Sequence, residues 1–324
     1  MAIFSISNLI KQPFIKLLRR LYIDRLDFII YKNDQIIESI PVVDRIINEI
    51  NDNVHILLKY QPKIVKDSSY FQSIESGLIN YLYSFLPDRT AIDIGANRGD
   101  ISQSLLETGY QVYAFEPFLP VYEKMVERFA GNPNFYSFPL AIGSTNETKE
   151  FHIASDTSSD NVYEDTTVFN SLVKHSSTED LVFSSTVPVT VTTLEDLHSS
   201  AKIPQKVSLV KIDTEGFDLE VIRGMGNHIY DVVVAEFWDP KYPYAQSGTL
   251  NGLQDMVKEM KQRNYNWYLV IYGFWGSEEI SYYCNHANSV EGSWGNVFFF
   301  QNYEIFNQAQ KWCSSVIPPT FLRS

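Results

Sequence analysis

Short apolar runs alternate with stretches of helical spacing along most of the chain after residue 88. Seven runs have the length and composition of buried strands: residues 90–94, 111–115, 134–140, 207–212, 231–237, 267–272 and 296–301. Between them, amphipathic spacing predicts helices at residues 101–108, 121–129, 219–224 and 250–262. Strands that alternate with helices in this way predict a mostly parallel α/β sheet covered by helices on both faces.

The segment between residues 143 and 203 interrupts this alternation. It is rich in Ser, Thr and Asp, and its runs 150–154 and 186–191 alternate between apolar and polar residues. This pattern predicts an antiparallel pair that flanks a polar loop. Because compact domains usually connect their elements with a few residues, we expect this insertion to contact the substrate.

The two ends of the chain lie outside the α/β pattern. Helical spacing recurs at residues 42–50 and 73–85, and Pro87-Asp88 is a typical boundary. We therefore predict a helical N-terminal extension over residues 1–88, an α/β domain over 89–303 and a C-terminal tail over 304–324.

Residues 1–23 are apolar at helical spacing but contain Lys11, Lys16, Arg19 and Arg20. These charges argue against a transmembrane helix and interrupt any secretory signal. The segment is expected to form a packed amphipathic helix, and peripheral contact with an acidic membrane surface is the alternative.

Composition narrows the classes of function. Hydrophobic residues make up 44% and charged residues 20% of the 324 residues, which is typical of a folded globular protein. The net charge of −13 would repel the phosphates of nucleic acid, so no nucleic acid partner is expected. With only Cys284 and Cys313, the chain has neither a disulfide framework nor a four-cysteine zinc site, which favours a reducing, cytoplasmic location.

A glycine-containing loop follows the first strand of the α/β domain. A dinucleotide-binding loop has the pattern G-x-G-x-x-G, but Gly95 is followed here by Asn97 and Asp100 where that pattern needs its other glycines. Gly99 precedes the helix, and Asp93 lies at the strand end, where it would repel a pyrophosphate and attract an ammonium group. The loop therefore favours S-adenosylmethionine as the cofactor.

The second strand ends at Glu116, 21 positions after Gly95. A carboxylate there can accept hydrogen bonds from both ribose hydroxyls of a nucleoside. Glu116 alone would also suit NAD, and a surface glutamate before Pro117 is the structural alternative. It favours S-adenosylmethionine only together with Asp93 and with Asn97 and Asp100 at the positions of the missing glycines. Ala141 follows the third strand, where an adenine would lie in this architecture, although core packing explains it equally well.

Four segments together resemble the FkbM family of methyltransferases. They are DIGANRGD at residues 93–100, FEP at 115–117, LAIG at 140–143 and VKIDTEGFDLEVIRG at 210–224. The resemblance covers about residues 90–237. It implies a class I, Rossmann-like fold with seven strands in the order 3-2-1-4-5-7-6, the seventh antiparallel. It also implies S-adenosylmethionine as cofactor and O-methylation of a hydroxyl on a natural product or glycan.

The strand ends also supply candidates for the chemistry. Period-two alternation would place Lys211, Asp213 and Glu215 on one side, and we expect Asp213 or Glu215 to act as the base or to orient the acceptor. Glu215 capping the next helix and Lys211 pairing with a carboxylate are structural alternatives. Glu236, at the end of the fifth strand, is a candidate substrate contact. Asp213 and Glu236 could bind a metal, but the sequence indicates no third ligand, so no metal is expected.

Two other functions are compatible with parts of this pattern. A nicotinamide-dependent oxidoreductase would use Glu116, but Asn97 and Asp100 disfavour it. A noncatalytic relative could bind a partner protein through the N-terminal helices, and it would bind cofactor without turning over any acceptor.

Overall fold

The computed structural model describes residues 31–32, 35–36, 69–158, 165–178, 180–243, 251–277 and 280–317. The helices expected within residues 1–23 and 42–50 lie outside this part of the chain. The protein divides into two compact units, Met1–Ile64 with Gln310–Ser324, and Val65–Ala309. In the first unit, strands β1 (Tyr31–Lys32) and β2 (Gln35–Ile36) pair antiparallel.

The remaining strands are β3 (Thr90–Ile94), β4 (Gln111–Phe115), β5 (Phe135–Phe138), β6 (Ala141–Ile142), β7 (Glu147–Asp156), β8 (Leu181–Thr192), β9 (Leu209–Ile212), β10 (Val232–Trp238), β11 (Trp267–Phe274), β12 (Ser281–Cys284) and β13 (Ser293–Phe300). The helices are α1 (Ser69–Leu82), α2 (Asp100–Thr108), α3 (Leu119–Arg128), α4 (Leu194–Ser199), α5 (Asp218–Arg223), α6 (Leu253–Gln262) and α7 (Tyr303–Val316), with 3-10 helices at Tyr83–Phe85 and Thr166–Phe169. Among the described helices, none combines the length and the apolar character needed to cross a bilayer.

The central sheet of the larger unit has eight strands in the order β12-β11-β13-β10-β9-β3-β4-β5. Strands β10, β9, β3, β4 and β5 run parallel, and β13 is antiparallel to both β10 and β11. The sequence-based expectation of seven strands is wrong, because β12 adds an eighth at the edge. This strand has only four residues and one fully buried side chain, Ser281, so no apolar run marks it. Its pairing with β11 defines it instead.

The connections place a crevice beside β3. From β3 the chain adds β4 and β5 on one side and β9 and β10 on the other, so the strand order reverses at β3. Open α/β sheets bind ligands at such a point, outside the carboxyl ends of the strands. Alternate residues of β3 such as Ile92 and Ile94 pack into the core with Leu219, Val221 and Ile222 of α5. The intervening positions face the opposite side of the sheet.

The insertion forms a second sheet of β6, β8 and β7. Strands β7 and β8 pair antiparallel from Glu147 with Val191 to Asp156 with Leu181, and they contain the expected runs 150–154 and 186–191. Helix α4 at its end was not expected. The end of α5 lies very close to this sheet at Gly224. A Cβ on residue 224 would lie 1.9 Å from the carbonyl oxygen of Gly143, so this close approach requires glycine.

Both ends of the α/β domain differ from the predicted boundaries. Helix α1, assigned above to the N-terminal extension, groups with the larger unit, because the division falls after Ile64. Helix α7 occupies most of the segment expected to be a tail from residue 304. Its buried positions recur at helical spacing, namely Ile305, Phe306, Ala309, Trp312, Cys313 and Val316, so the sequence did contain a signal for it.

Candidate active site

The loop between β3 and α2 has a backbone that depends on glycine. Gly95, Asn97 and Gly99 have positive φ angles of 76°, 48° and 84°. A Cβ on Gly95 would lie 1.8 Å from the carbonyl oxygen of Asp213, so a side chain there would separate the loop from the end of β9. The amides of Gly95 and Ala96 both donate to the carbonyl of Phe115 at 3.0 Å, which ties the loop to the end of β4.

Glu116 is buried immediately beyond β4. Its Oε2 accepts a hydrogen bond from the amide of Asn97 at 3.0 Å, and its Oε1 accepts one from the amide of Phe118 at 2.8 Å. Burial raises the pKa of Glu116 to about 7, although the two amide hydrogen bonds favour the charged form. Each carboxylate oxygen has two lone pairs, so both oxygens keep acceptor capacity for a ligand.

Asp93 is the second buried carboxyl group near this loop, with 1% of its surface exposed. Its Oδ2 accepts a hydrogen bond from Ser102 Oγ at 2.6 Å, whereas Oδ1 has no partner within the described residues. Burial raises the pKa of Asp93, and the charge of Lys211 opposes this shift. Because a buried carboxylate oxygen without a donor is unfavourable, Asp93 is suited to receive a donor from a ligand.

The loop, the strand ends and the insertion enclose a cavity of about 220 Å³. Its polar lining includes Asp93, Glu116, Asp213 and Glu215. Its apolar lining includes Phe115, Leu140, Ala141, Ile142, Phe151 and Leu172. A pocket with an apolar wall and a few convergent polar groups is typical of a small-molecule site.

Lys211 lies among carboxylates on the face of the sheet that Asp93 also occupies, because the two residues are register partners on β3 and β9. It is 2% exposed, and its Nζ is 2.5 Å from Asp213 Oδ2. Burial alone lowers the pKa of Lys211, but the charges of Asp213, Glu75 and Asp93 give a net upward shift. The ammonium therefore stays charged, and the expected pairing of Lys211 with a carboxylate is confirmed.

Three carboxylates converge next to this lysine. One oxygen each from Asp213, Glu215 and Glu236 lies within 4.8 Å of the other two. Burial and then the neighbouring carboxylates raise the pKa of both Glu215 and Glu236. Glu236 is 8% exposed and its Oε2 has no hydrogen-bond partner in the described structure. The indole N–H of Trp238 lowers the pKa of Glu236 against the larger effect of burial, although its Nε1 meets no hydrogen-bond partner at normal geometry in the described part of the chain.

Glu215 reaches this cluster through a turn, not through strand alternation. Strand β9 ends at Ile212, and Glu215 has a φ of 51°. Helix α5 begins at Asp218 with Phe217 as its N-cap and has no side-chain cap hydrogen bond. The alternative role of Glu215 as a helix cap is therefore wrong, and its side chain is available to the cluster.

Asp218 fixes the backbone around the cluster. It is fully buried and accepts hydrogen bonds from Thr214 Oγ1 at 2.6 Å, the Glu236 amide at 2.9 Å and Asn251 Nδ2 at 3.1 Å. Asn251 Oδ1 in turn accepts from the Asp218 amide at 3.0 Å. These contacts join the end of β9, the end of β10 and the segment before α6.

The insertion contacts the loop through its 3-10 helix at Thr166–Phe169. Asp165, which precedes this helix, pairs with Arg98 at 2.8 Å, and Thr167 Oγ1 accepts from Asn97 Nδ2 at 3.3 Å. Asp165 and Thr167 also line the cavity. The insertion therefore borders the cavity, and its contact with the substrate stays a prediction.

Two further residues of the insertion hold the turn at Glu215. Ser171 Oγ donates to the Glu215 carbonyl at 2.6 Å, and His175 Nε2 lies 2.9 Å from the same oxygen. Both residues are buried. They act on the backbone and leave the carboxylate of Glu215 to face the cluster residues.

The sequence profile of the methyltransferase FkbM domain matches residues 93–266. This range is more than half of the 324 residues. The chain belongs to the FkbM methyltransferase family. The matched range contains the loop after β3, Glu116, the insertion and the carboxylate cluster.

Other comparisons add little to this assignment. No curated protein matches the chain in sequence. A precorrin-6y C5,15-methyltransferase from Geobacter metallireducens matches in structure with 9% identity, 70% of this chain and 87% of that chain covered, and a TM-score of 0.36. Spermidine synthase from Thermotoga maritima matches with 12% identity, 75% and 62% coverage, and a TM-score of 0.39. These similarities are too low to support a functional argument.

The FkbM domain brings most of the predicted site residues together. Asp93, Gly95, Asn97, Glu116, Ala141, Asp213 and Glu215 line the cavity. Gly99 does not line it. It begins the turn into α2, where a Cβ would lie 2.4 Å from the ring of Phe129. Glu236 also lies outside the lining and joins the site through Asp213 and Glu215.

Sequence reasoning missed Glu75, Asp218 and Asn251. Glu75 is 5% exposed, and burial raises its pKa to about 7 against the opposing charge of Lys211. A signal for Glu75 existed, because it lies on the same helical stripe as the buried residues Phe71, Ile74, Leu78, Ile79 and Leu82. Asn251 offered no such signal.

Proposed function

We propose that this FkbM methyltransferase transfers the methyl group of S-adenosylmethionine to a hydroxyl oxygen of a glycan or small natural product. The supporting observation is that two buried carboxyl groups, Asp93 and Glu116, share one cavity and both keep acceptor capacity. A cofactor with a ribose and an ammonium group supplies the donors that this pair lacks.

The residues fit the cofactor in several respects. Glu116 would accept hydrogen bonds from the two ribose hydroxyls, Asp93 Oδ1 would receive the ammonium group directly or through water, and Ala141 offers an apolar surface for the adenine. Asp100 occupies the first turn of α2, where a dinucleotide would place its pyrophosphate. Its charge disfavours NAD. S-adenosylmethionine, when bound, supplies a methyl group activated by the sulfonium.

The protein mainly orients the acceptor and receives its proton. Asp213 and Glu215 line the cavity, and we propose that they hold the acceptor hydroxyl and accept its proton. Burial and the neighbouring carboxylates raise the pKa of Glu215, which makes its carboxylate a stronger base. Glu236 would contact the acceptor or orient these two groups. The 3-10 helix of the insertion covers the loop and would limit the access of water.

Composition supports the choice of acceptor and location. The net charge of −13 favours an uncharged acceptor over nucleic acid, and the two cysteines favour the cytoplasm. We propose that the residues before the α/β domain contribute to acceptor recognition or to peripheral membrane contact, since the cofactor site lies within residues 93–266.

Isothermal titration calorimetry tests the cofactor assignment. We expect S-adenosylmethionine to bind and NAD not to bind. Glu116→Gln and Asp93→Asn keep the side-chain shape and should weaken S-adenosylmethionine at least tenfold. Glu123→Gln, an exposed position on α3 outside the cavity, is the matched control. Unaltered affinity in both site variants would reject the assignment.

A second experiment tests the acceptor class. The protein is incubated with isotopically labelled S-adenosylmethionine and panels of sugars, phenols, amines and polyketides, and methylated products are identified by mass spectrometry and NMR. An O-methyl product is expected. An N-methyl or C-methyl product would contradict the proposed chemistry, and cofactor binding with no product on any panel would favour a noncatalytic role.

A further inference from the structure

We infer that Asp213, Glu215 and Glu236 form a binding site for a divalent cation such as Mg²⁺ or Mn²⁺ beside the cofactor cavity. The sequence indicated only Asp213 and Glu236 as ligands. The turn after β9 adds Glu215 as the third.

The geometry suits one small cation. One carboxylate oxygen from each residue lies within 4.8 Å of the other two. Oxygen ligands of an octahedral Mg²⁺ lie at about 2.0–2.1 Å from the metal, which places them roughly 3–4 Å apart.

Glu236 gives an independent indication of a ligand. It is 8% exposed, its carboxylate belongs to the cluster, and its Oε2 has no hydrogen-bond partner among the described residues. A buried carboxyl oxygen without a partner is rare in folded proteins, so a ligand that contacts this oxygen would be favoured there. Lys211 does not donate to this oxygen in the described structure, because its Nζ pairs with Asp213.

The charge around the cluster also favours a cation. Lys211 is the buried cation there, and it faces the carboxyl groups of Asp213, Glu75 and Asp93. Glu215 and Glu236 add two more carboxyl groups beside Asp213. A cation bound there would offset the mutual repulsion of these carboxyl groups in their ionised form.

The protein holds the ligand-bearing backbone in place through other residues. Asp218 accepts the amide hydrogen bond of Glu236, and Ser171 with His175 contacts the carbonyl of Glu215. These contacts hold the backbone of Glu215 and Glu236 and leave their carboxyl groups free of that role. A chance group of surface carboxylates would not require them.

The cation would give Asp213 and Glu215 a defined role in the proposed reaction. Three protein ligands leave octahedral positions for water and for an acceptor oxygen. A cation bound there would orient that oxygen, and the carboxylate oxygen of Glu215 that does not bind the cation would accept its proton. This part of the inference rests on the proposed function. The existence of the site does not.

Manganese binding to the full-length protein tests the site. Titration with Mn²⁺, followed by the electron paramagnetic resonance signal of the free ion, should show one saturable site per chain that Mg²⁺ competes for. We expect Glu236→Gln to weaken Mn²⁺ at least tenfold, with Glu123→Gln as the unaffected control. Glu215→Gln, at a partly exposed residue, is the second variant should Glu236→Gln fail to fold.

Absence of saturable Mn²⁺ binding, with and without S-adenosylmethionine, would overturn the inference. Equal Mn²⁺ affinity in wild type, Glu236→Gln and Glu215→Gln would do the same. Calorimetry with S-adenosylmethionine on the same samples separates the two proposals, because Mn²⁺ binding without cofactor binding would reject only the proposed function.

Discussion

Gly95→Ala tests whether close contact between the loop after β3 and the end of β9 holds the site together. The added Cβ would lie 1.8 Å from the carbonyl oxygen of Asp213 and 2.9 Å from its carbonyl carbon. Both atoms belong to the backbone, so no side-chain rotation relieves the contact. The loop and the strand end must move apart by roughly 1.6 Å or more to reach an ordinary van der Waals distance.

The cost has two parts. Alanine at a φ of 76° is less favourable than glycine by about 1–2 kcal/mol. Movement of the loop also weakens the hydrogen bonds from the Gly95 and Ala96 amides to Phe115, each 3.0 Å long and each contributing about 1 kcal/mol. We therefore expect Gly95→Ala to lower the free energy of unfolding by about 3–4 kcal/mol.

Gly131→Ala is the matched control, because Gly131 has a φ of 82° and a Cβ added there would have nothing within 4 Å. It should cost only the conformational part, about 1–2 kcal/mol. Equilibrium urea unfolding followed by circular dichroism measures both variants, and calorimetry measures their affinity for S-adenosylmethionine. If Gly95→Ala costs no more than Gly131→Ala, or binds the cofactor equally well, the assigned role of the contact is wrong.

Buried groups and close contacts give three further predictions. Lys211→Met leaves the carboxylates around it without their cation and should lower the free energy of unfolding by about 3–5 kcal/mol in urea titrations. An unchanged unfolding midpoint would contradict the pairing. Burial raises the pKa of Glu116 to about 7 in the folded protein. The free energy of unfolding should therefore fall as pH rises from about 4.5 to 7, because the folded state holds the proton more tightly than the unfolded state. Affinity for S-adenosylmethionine, which needs the carboxylate, should instead fall by up to roughly tenfold per pH unit below 7 in calorimetry, and Glu116→Gln should flatten both profiles. In Gly224→Ala the new Cβ would lie 1.9 Å from the Gly143 carbonyl oxygen. This variant should lower the melting temperature although the φ of Gly224 is ordinary. An unchanged melting temperature would refute the close approach.

The strands and the loop after β3 could be predicted because their signals are local. An apolar run such as residues 90–94 followed by Gly95 indicates a buried strand entering a tight turn, whatever lies around it. Glu116 could be placed near Asp93 because parallel strands end at the same edge of a sheet. The K-I-D-T-E-G segment at residues 211–216 indicated the FkbM family, and the match over residues 93–266 confirms that family.

Elements without a strong local pattern were mispredicted or missed. Strand β12 is a strand through its pairing with β11, since Ser281–Cys284 has no apolar run of its own. Helix α7 is a different case. Its buried residues recur at helical spacing, and the prediction of a tail over residues 304–324 did not use that signal.

The amino-acid sequence by itself determined the α/β class, the loop after β3 and the carboxyl groups of Asp93 and Glu116 at the strand ends, because period-two and helical spacing act over a few neighbouring residues. The tertiary structure alone decided that Glu236 meets Glu215, that Glu75 is buried near Lys211 and that Thr167 contacts Asn97. These pairs are 21, 136 and 70 positions apart in the sequence, and their approach depends on how the turn after β9, helix α1 and the insertion pack against the sheet. No local pattern encodes that packing.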